Sequence, residues 1–175
     1  ITVGGTGKTP TAEYLLGVLS DKYNIAILSR GYGRDTEGYR EVTVDDSYVD
    51  VGDEPLLLKL KFPDRPVIVC EDRVAGIERI RQEHPEVNLI IMDDGFQHRR
   101  VKAKVNVILI DSTRPIDEDR MLPLGRLRDL PSRLGAGHIF IVTKCPKDIT
   151  PIQRRLWTKK LRSVAYQKIY FSRYH

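Results

Sequence analysis

Cysteine is nearly absent from this chain, with two among 175 residues, and tryptophan occurs once. Cys70 and Cys145 sit in apolar, strand-like runs without the paired spacing of a metal knuckle. That excludes a disulfide scaffold and a cysteine metal site, and predicts two buried free thiols in a reducing compartment. Glycine (13) and proline (10) are too sparse for a collagen-like or low-complexity chain. Long apolar runs are missing as well. The longest, Leu89–Met92 and Val105–Ile110, are strand-sized and far below the roughly 18 residues that span a bilayer. What remains, 41% hydrophobic and 30% charged residues, fits a single α/β-sized domain able to bury a core. Charge is only mildly one-sided, 29 basic against 24 acidic residues for a net +5. That balance suits nucleotides, phosphates or an acidic membrane face and does not by itself imply nucleic acid.

Short β-branched runs recur with helical patterns between them. Strands are expected at Ile1–Val3, Asn24–Leu28, Val67–Cys70, Val87–Met92, Val105–Ile110 and His138–Thr143. Most are continuously apolar, as strands covered on both faces require. Helices are expected at Thr9–Asp21, where Ala12, Leu15, Leu16 and Leu19 share a face, and at Glu54–Leu60, Val74–His84 and Pro151–Arg162. The alternation predicts an α/β fold, a mostly parallel sheet with helices on both faces. Tyr39–Val44 alternates polar and apolar residues and reads as a small solvent-facing β-hairpin. The chain starts in what reads as the tail of a strand, and Lys168–Tyr174 reads as a strand beginning. It is therefore expected to be part of a longer protein.

The strongest local signal is Gly4-Gly5-Thr6-Gly7-Lys8-Thr9, between a strand end and a helix start. Glycines let consecutive backbone N–H groups curl around a phosphate, and the helix adds its positive dipole end. Lys8 then bridges β- and γ-phosphate oxygens, and the Thr9 hydroxyl ligates Mg²⁺. Thr2 stands where the full phosphate-loop pattern has a further glycine, but Gly4, Gly5 and Gly7 still supply the turn.

Carboxylates close the strands that follow. Asp93-Asp94-Gly95-Phe96-Gln97-His98 ends the run Leu89–Met92, where an acid beside a phosphate loop supports Mg²⁺. Gly52-Asp53-Glu54-Pro55 opens a helix. Asp53 can cap that helix, or take the proton from an attacking hydroxyl while Glu54 approaches the metal. Asp111 reads as a turn or cap. Arg30, Arg73 and Arg128 follow strands in the same manner, and a guanidinium can fork onto phosphate oxygens.

Read in order, Thr2–Pro10, Leu28–Tyr32, Gly52–Pro55, Glu71-Asp72-Arg73, Asp93–His98 and Leu122-Pro123-Leu124-Gly125 before Leu127-Arg128 resemble the tetraacyldisaccharide 4′-kinase family of lipid A biosynthesis. The resemblance implies a P-loop NTPase-like fold. It also implies transfer of the γ-phosphoryl of MgATP to the 4′-hydroxyl of a tetraacyldisaccharide 1-phosphate lipid, at the cytoplasmic face of a Gram-negative inner membrane. Carried over, Lys8 and Asp94 join Asp53, the base, as catalytic residues. Gly4, Gly5, Thr6, Gly7, Lys8 and Thr9 bind nucleotide, and Thr9, Glu54, Asp93 and Asp94 serve the metal. Arg30, Arg73, Gln97, His98 and Arg128 face substrate or phosphate. The family also has an amino-terminal membrane-associated segment and a smaller carboxyl-terminal domain on a β-ribbon linker. The resemblance thus makes residues 1–165 the kinase domain and 166–175 the start of the linker. It further implies that these residues alone bind nucleotide yet turn over poorly, since a histidine of the second domain assists the aspartate base. Asp129-Leu130 replaces the family's usual Glu-Pro after Arg128.

Two other readings share some of these residues. A switch-type ATPase or GTPase uses the same phosphate loop but does not need Asp53 as a hydroxyl base. A nucleic-acid module is suggested by Arg154-Arg155 and Lys159-Lys160. A solvated amphipathic face accounts for those pairs better, so no nucleic-acid partner is expected.

Overall fold

A computed structural model describes residues 6–95, 98, 100–114, 131–161 and 164–173, excepting the side chains of 131–133. The strand expected at Ile1–Val3 lies outside them. The chain divides into two units, residues 8–101 and residues 1–7 with 102–175.

In the unit of residues 8–101, helix α1 (Lys8–Leu19) leads into strand β1 (Ile25–Ser29) and a short strand β2 (Arg40–Glu41). Helices α2 (Tyr48–Val51) and α3 (Asp53–Lys61), strand β3 (Val67–Val69), helix α4 (Arg73–Glu83) and strand β4 (Leu89–Met92) follow. The sheet order is β2-β3-β1-β4. β1 pairs in parallel with β3 and β4, with Ile27 opposite both Val67 and Ile91. Every β1 residue is buried, and alternation splits the strand between two cores. Ile25 and Ile27 face Leu16 of α1 and Leu58 of α3. Ala26 and Leu28 face Ile80 of α4. Helices therefore cover both faces of this sheet, as its continuous apolar strands require.

The expected hairpin at 39–44 is instead a two-residue edge strand. β2 pairs antiparallel with β3, and Val42 is fully buried. Val42 N–H donates to the Val67 carbonyl at 2.8 Å, so the apolar half of the alternation packs inward and the segment is not self-contained. Both cysteines are free and buried, as expected.

The other unit carries a parallel three-stranded sheet in the order β5-β6-β7, formed by Val107–Asp111, Ile139–Thr143 and Lys168–Phe171. A 3-10 helix (Pro131–Ala136) precedes β6, and helix α5 (Pro151–Lys160) connects β6 to β7. Thr150 starts α5 with a complete capping box with Gln153, and Pro151 occupies its first turn.

Candidate active site

The apolar runs end where the polar residues begin, so the strand and helix termini of residues 8–101 carry the ionisable groups. Asp93 follows β4 and is 8% exposed. Its N–H still donates to the Leu28 carbonyl at 3.1 Å, extending the ladder by one residue. Burial pushes the Asp93 carboxyl well above the usual carboxylate range. Glu54 and Asp94 push it in the same direction, while Lys8 pulls it down. Lys8, Glu54 and Asp94 therefore all lie close enough to bear on the charge of the buried Asp93 carboxyl. Lys8 and Glu54 are the first and second residues of α1 and α3, respectively.

Asp94 has φ of 51°, a left-handed conformation that costs a non-glycine residue unless its surroundings impose it. Part of that support comes from Arg73, which is 1% exposed. Its guanidinium donates to the Cys70 carbonyl and, at 3.2 Å, to the Asp93 carbonyl, while its Nε has no partner. Arg73 thus fixes the backbone that carries both aspartates. The phosphate-facing role that its motif suggests is not visible in these contacts.

Asp53 opens α3. The cap itself is Gly52 (φ 91°), which forms no side-chain hydrogen bond; Asp53 lies one residue further in, and its Oδ1 accepts from the Glu54 N–H at 2.8 Å. A carboxylate here is favoured by the helix dipole. Gly52 also lets two loops meet: a Cβ at this position would lie 3.3 Å from the Tyr32 carbonyl oxygen and 3.4 Å from Gly31 Cα. The loop of Arg30, Gly31 and Tyr32 therefore packs against the Asp53 helix start.

Arg30 and His98 face the same field. Burial lowers the His98 pKa, and the Arg73 and Arg30 guanidiniums lower it further, against a weaker pull from Asp72. Cations and acids thus lie side by side. Of the other expected residues, Thr6 is buried, Gly7 has φ of 87°, and Thr9 is half-buried in the first turn of α1. Gly4, Gly5, Gln97 and Arg128 lie outside the described residues.

Two features were not expected. Arg34, with its side chain 2% exposed, ion-pairs with Glu71 and donates to the Thr36 hydroxyl at 3.3 Å. Glu71 also accepts from the Gly38 N–H at 2.9 Å. These bonds clamp the loop 31–38, which lines a cavity of about 610 Å³ together with Arg30 and Glu71. The only sequence signal was an arginine among three glycines.

The second feature belongs to the other unit. Buried Thr143, read only as a strand end, donates from Oγ1 to the Thr6 carbonyl at 3.0 Å. Beside it, Asp111 accepts from the Thr113 N–H at 3.0 Å, the expected turn, and pairs with Lys144 Nζ at 2.6 Å.

A family model described as tetraacyldisaccharide-1-P 4′-kinase matches residues 1–171. A tetraacyldisaccharide 4′-kinase of Phocaeicola vulgatus is 48% identical over 174 residues, covering 98% of this chain and 48% of the relative. Its Bacteroides fragilis counterpart is 47% identical over 173 residues, covering 98% and 46%. Among solved structures, the "apo" form of LpxK from Aquifex aeolicus in complex with ATP aligns with a TM-score of 0.74 at 33% identity. That alignment covers 81% of this chain and 45% of the other. The chain spans about half the length of the curated relatives it matches.

Proposed function

This chain belongs to the tetraacyldisaccharide-1-P 4′-kinase family, and from that premise we propose that it carries the nucleotide site of an ATP-dependent lipid kinase. The acceptor is the 4′-hydroxyl of tetraacyldisaccharide 1-phosphate, a step of lipid A biosynthesis at the cytoplasmic face of the inner membrane. Among the described residues no helix is long and apolar enough to cross a membrane. The observation that carries the reading is the buried Asp93 carboxyl at the end of β4, with Lys8 of α1 and Glu54 of α3 close enough to bear on its charge.

In this reading Gly4, Gly5, Thr6 and Gly7 wrap the β-phosphate. Lys8 neutralises charge on the β- and γ-phosphate oxygens as the transferred group loosens. Asp53, held at the start of α3, accepts the proton of the sugar hydroxyl as its oxygen bonds to the γ-phosphorus. The bond to the β-phosphate oxygen breaks and ADP leaves. Arg30 and His98 face phosphates or the lipid headgroup, and the family resemblance gives Gln97 and Arg128 the same role. Arg73 works beneath them through the backbone of Asp93.

Mg²⁺ fits the donor set. Asp93, Asp94, Glu54 and the Thr9 hydroxyl offer only oxygen, the ligand a hard dication takes, and the repulsion that raises Asp93 is relieved by a bound cation. The ion supplies charge neutralisation at the phosphoryl oxygens.

The test is transfer of radiolabelled γ-phosphate to the disaccharide-1-phosphate lipid by the full-length protein. Lys8→Ala and Asp53→Ala are both expected to abolish transfer; normal labelling by either would refute the assignment. Asp53→Asn separates a kinase from a switch-type NTPase, because only the switch keeps its full turnover.

A further inference from the structure

Loop 31–38 contributes no apolar side chain to the core, and Tyr32, Gly33, Asp35, Glu37 and Gly38 are all exposed. Such a segment opens locally at little cost unless polar bonds hold it. Arg34 supplies those bonds from a buried side chain. Its Nε donates to Glu71 at 3.1 Å, its Nη1 to the Thr36 hydroxyl and its Nη2 to the Gly38 carbonyl. Glu71 lies just past β3 and so ties the guanidinium to the sheet. One planar fork serves all three partners, a span the compact lysine ammonium does not cover.

The loop held in this way is bonded in turn to α2. Asp35 N–H donates to the Val49 carbonyl at 2.8 Å, and the Thr36 hydroxyl donates to the Asp50 carbonyl. Gly31 packs against the same helix end. A Cβ there would lie 3.1 Å from the Val51 carbonyl oxygen and 2.5 Å from Arg34 Cδ. α2 is a single turn of four residues, of which only Val51 is buried, so it depends on these bonds for its place. Asp53 follows Val51 by two residues.

The geometry points to Arg34 as a positioning residue for phosphoryl transfer: through Thr36 and the end of α2 it sets where the Asp53 carboxylate meets the acceptor hydroxyl. This deepens the proposed function and rests on its assignment of Asp53 as the base. A general base works only within hydrogen-bond reach of the proton it takes, about 3 Å between heavy atoms. A displacement of about 1 Å costs on the order of a hundredfold in rate. The clamp touches neither the phosphate loop nor α1, so its loss falls on proton removal and spares nucleotide binding.

Steady-state transfer of γ-phosphate from ATP to the disaccharide-1-phosphate lipid by the full-length protein tests this. Arg34→Lys is expected to lower kcat about tenfold or more, with the KM values for ATP and lipid changed less than about twofold. Thr36→Val keeps the Arg34–Glu71 pair but cuts the link to the Asp50 carbonyl, and is expected to lower kcat about fivefold. Thermal melts establish that each variant is folded at the assay temperature; should Arg34→Lys unfold, Thr36→Val decides. A normal kcat in a folded variant overturns the proposal. So does a loss confined to the lipid KM, which would mean that the loop binds acceptor and leaves Asp53 in place. Failure of the underlying reading is distinguishable, because the unaltered protein then transfers no label or Asp53→Ala transfers it normally.

Discussion

Asp93 is buried with the acid of Glu54 close by, and burial together with that neighbouring charge makes its ionisation costly. Such an arrangement is a poor way to stabilise a fold and a good way to hold a dication. Asp93→Asn is therefore expected to keep or raise the melting temperature while cutting phosphoryl transfer on the order of a hundredfold or more. A thermal melt and a transfer assay on the same variant read both effects. Glu71 presents the opposite case. Burial raises its pKa, but hydrogen bonds from Arg34 and from backbone N–H groups outweigh that, and the carboxyl ends below its ordinary value. A depressed folded-state pKa stabilises above the unfolded value of about 4.3 and ceases to as pH falls through the lower folded value. Glu71→Gln should thus flatten the acid limb of stability below about pH 4.3, measured by denaturant melts across pH. The sequence made Asp93, Glu54 and Lys8 legible because each closes or opens an element beside a glycine turn. Arg34 was not legible, since its role depends on Glu71, 37 residues away, and no local spacing encodes that contact.

Elements followed the sequence where burial is continuous. β1, β3, β4, β5 and β6 were readable because their apolar runs are covered on at least one face, and α1, α3 and α4 because each presents a periodic apolar stripe. α2 escaped notice because four residues are too few to show a period. α5, expected over Pro151–Arg162, forms over Pro151–Lys160, although none of its residues is buried. The decisive placement at this scale is the approach of two loops at Gly52. Its φ of 91° and a virtual Cβ 3.3 Å from the Tyr32 carbonyl leave little room for a side chain. Gly52→Ala is expected to cost about 1–2 kcal/mol from the left-handed backbone alone. It should also lower transfer more than nucleotide binding, because the Arg30 loop and Asp53 shift apart while Lys8 stays. Denaturant melts, nucleotide titration and transfer rates on this variant separate those effects.

At the scale of the molecule, the α/β class was plain from strand–helix alternation, whereas the strand order among the described residues was not, because it is set by long-range pairing such as β1 with both β3 and β4. The whole chain should nevertheless report what its site binds. A ligand that binds only the folded state stabilises by mass action, about 2.7 kcal/mol at a hundredfold excess over its Kd. For a chain of this size that corresponds to a melting shift on the order of 5–10 °C. ATP with Mg²⁺ is expected to give such a shift, and ATP with a chelator a much smaller one. The difference follows from charge. Without a dication, a triphosphate approaching Lys8 also approaches Glu54, Asp93 and Asp94, and repulsion from the acids offsets the attraction of the lysine. With a dication the same oxygens become ligands, so cooperation between metal and nucleotide is built into the pairing of α1 with the β4 end. Equal shifts with and without chelator would mean that the acids do not meet the triphosphate at all.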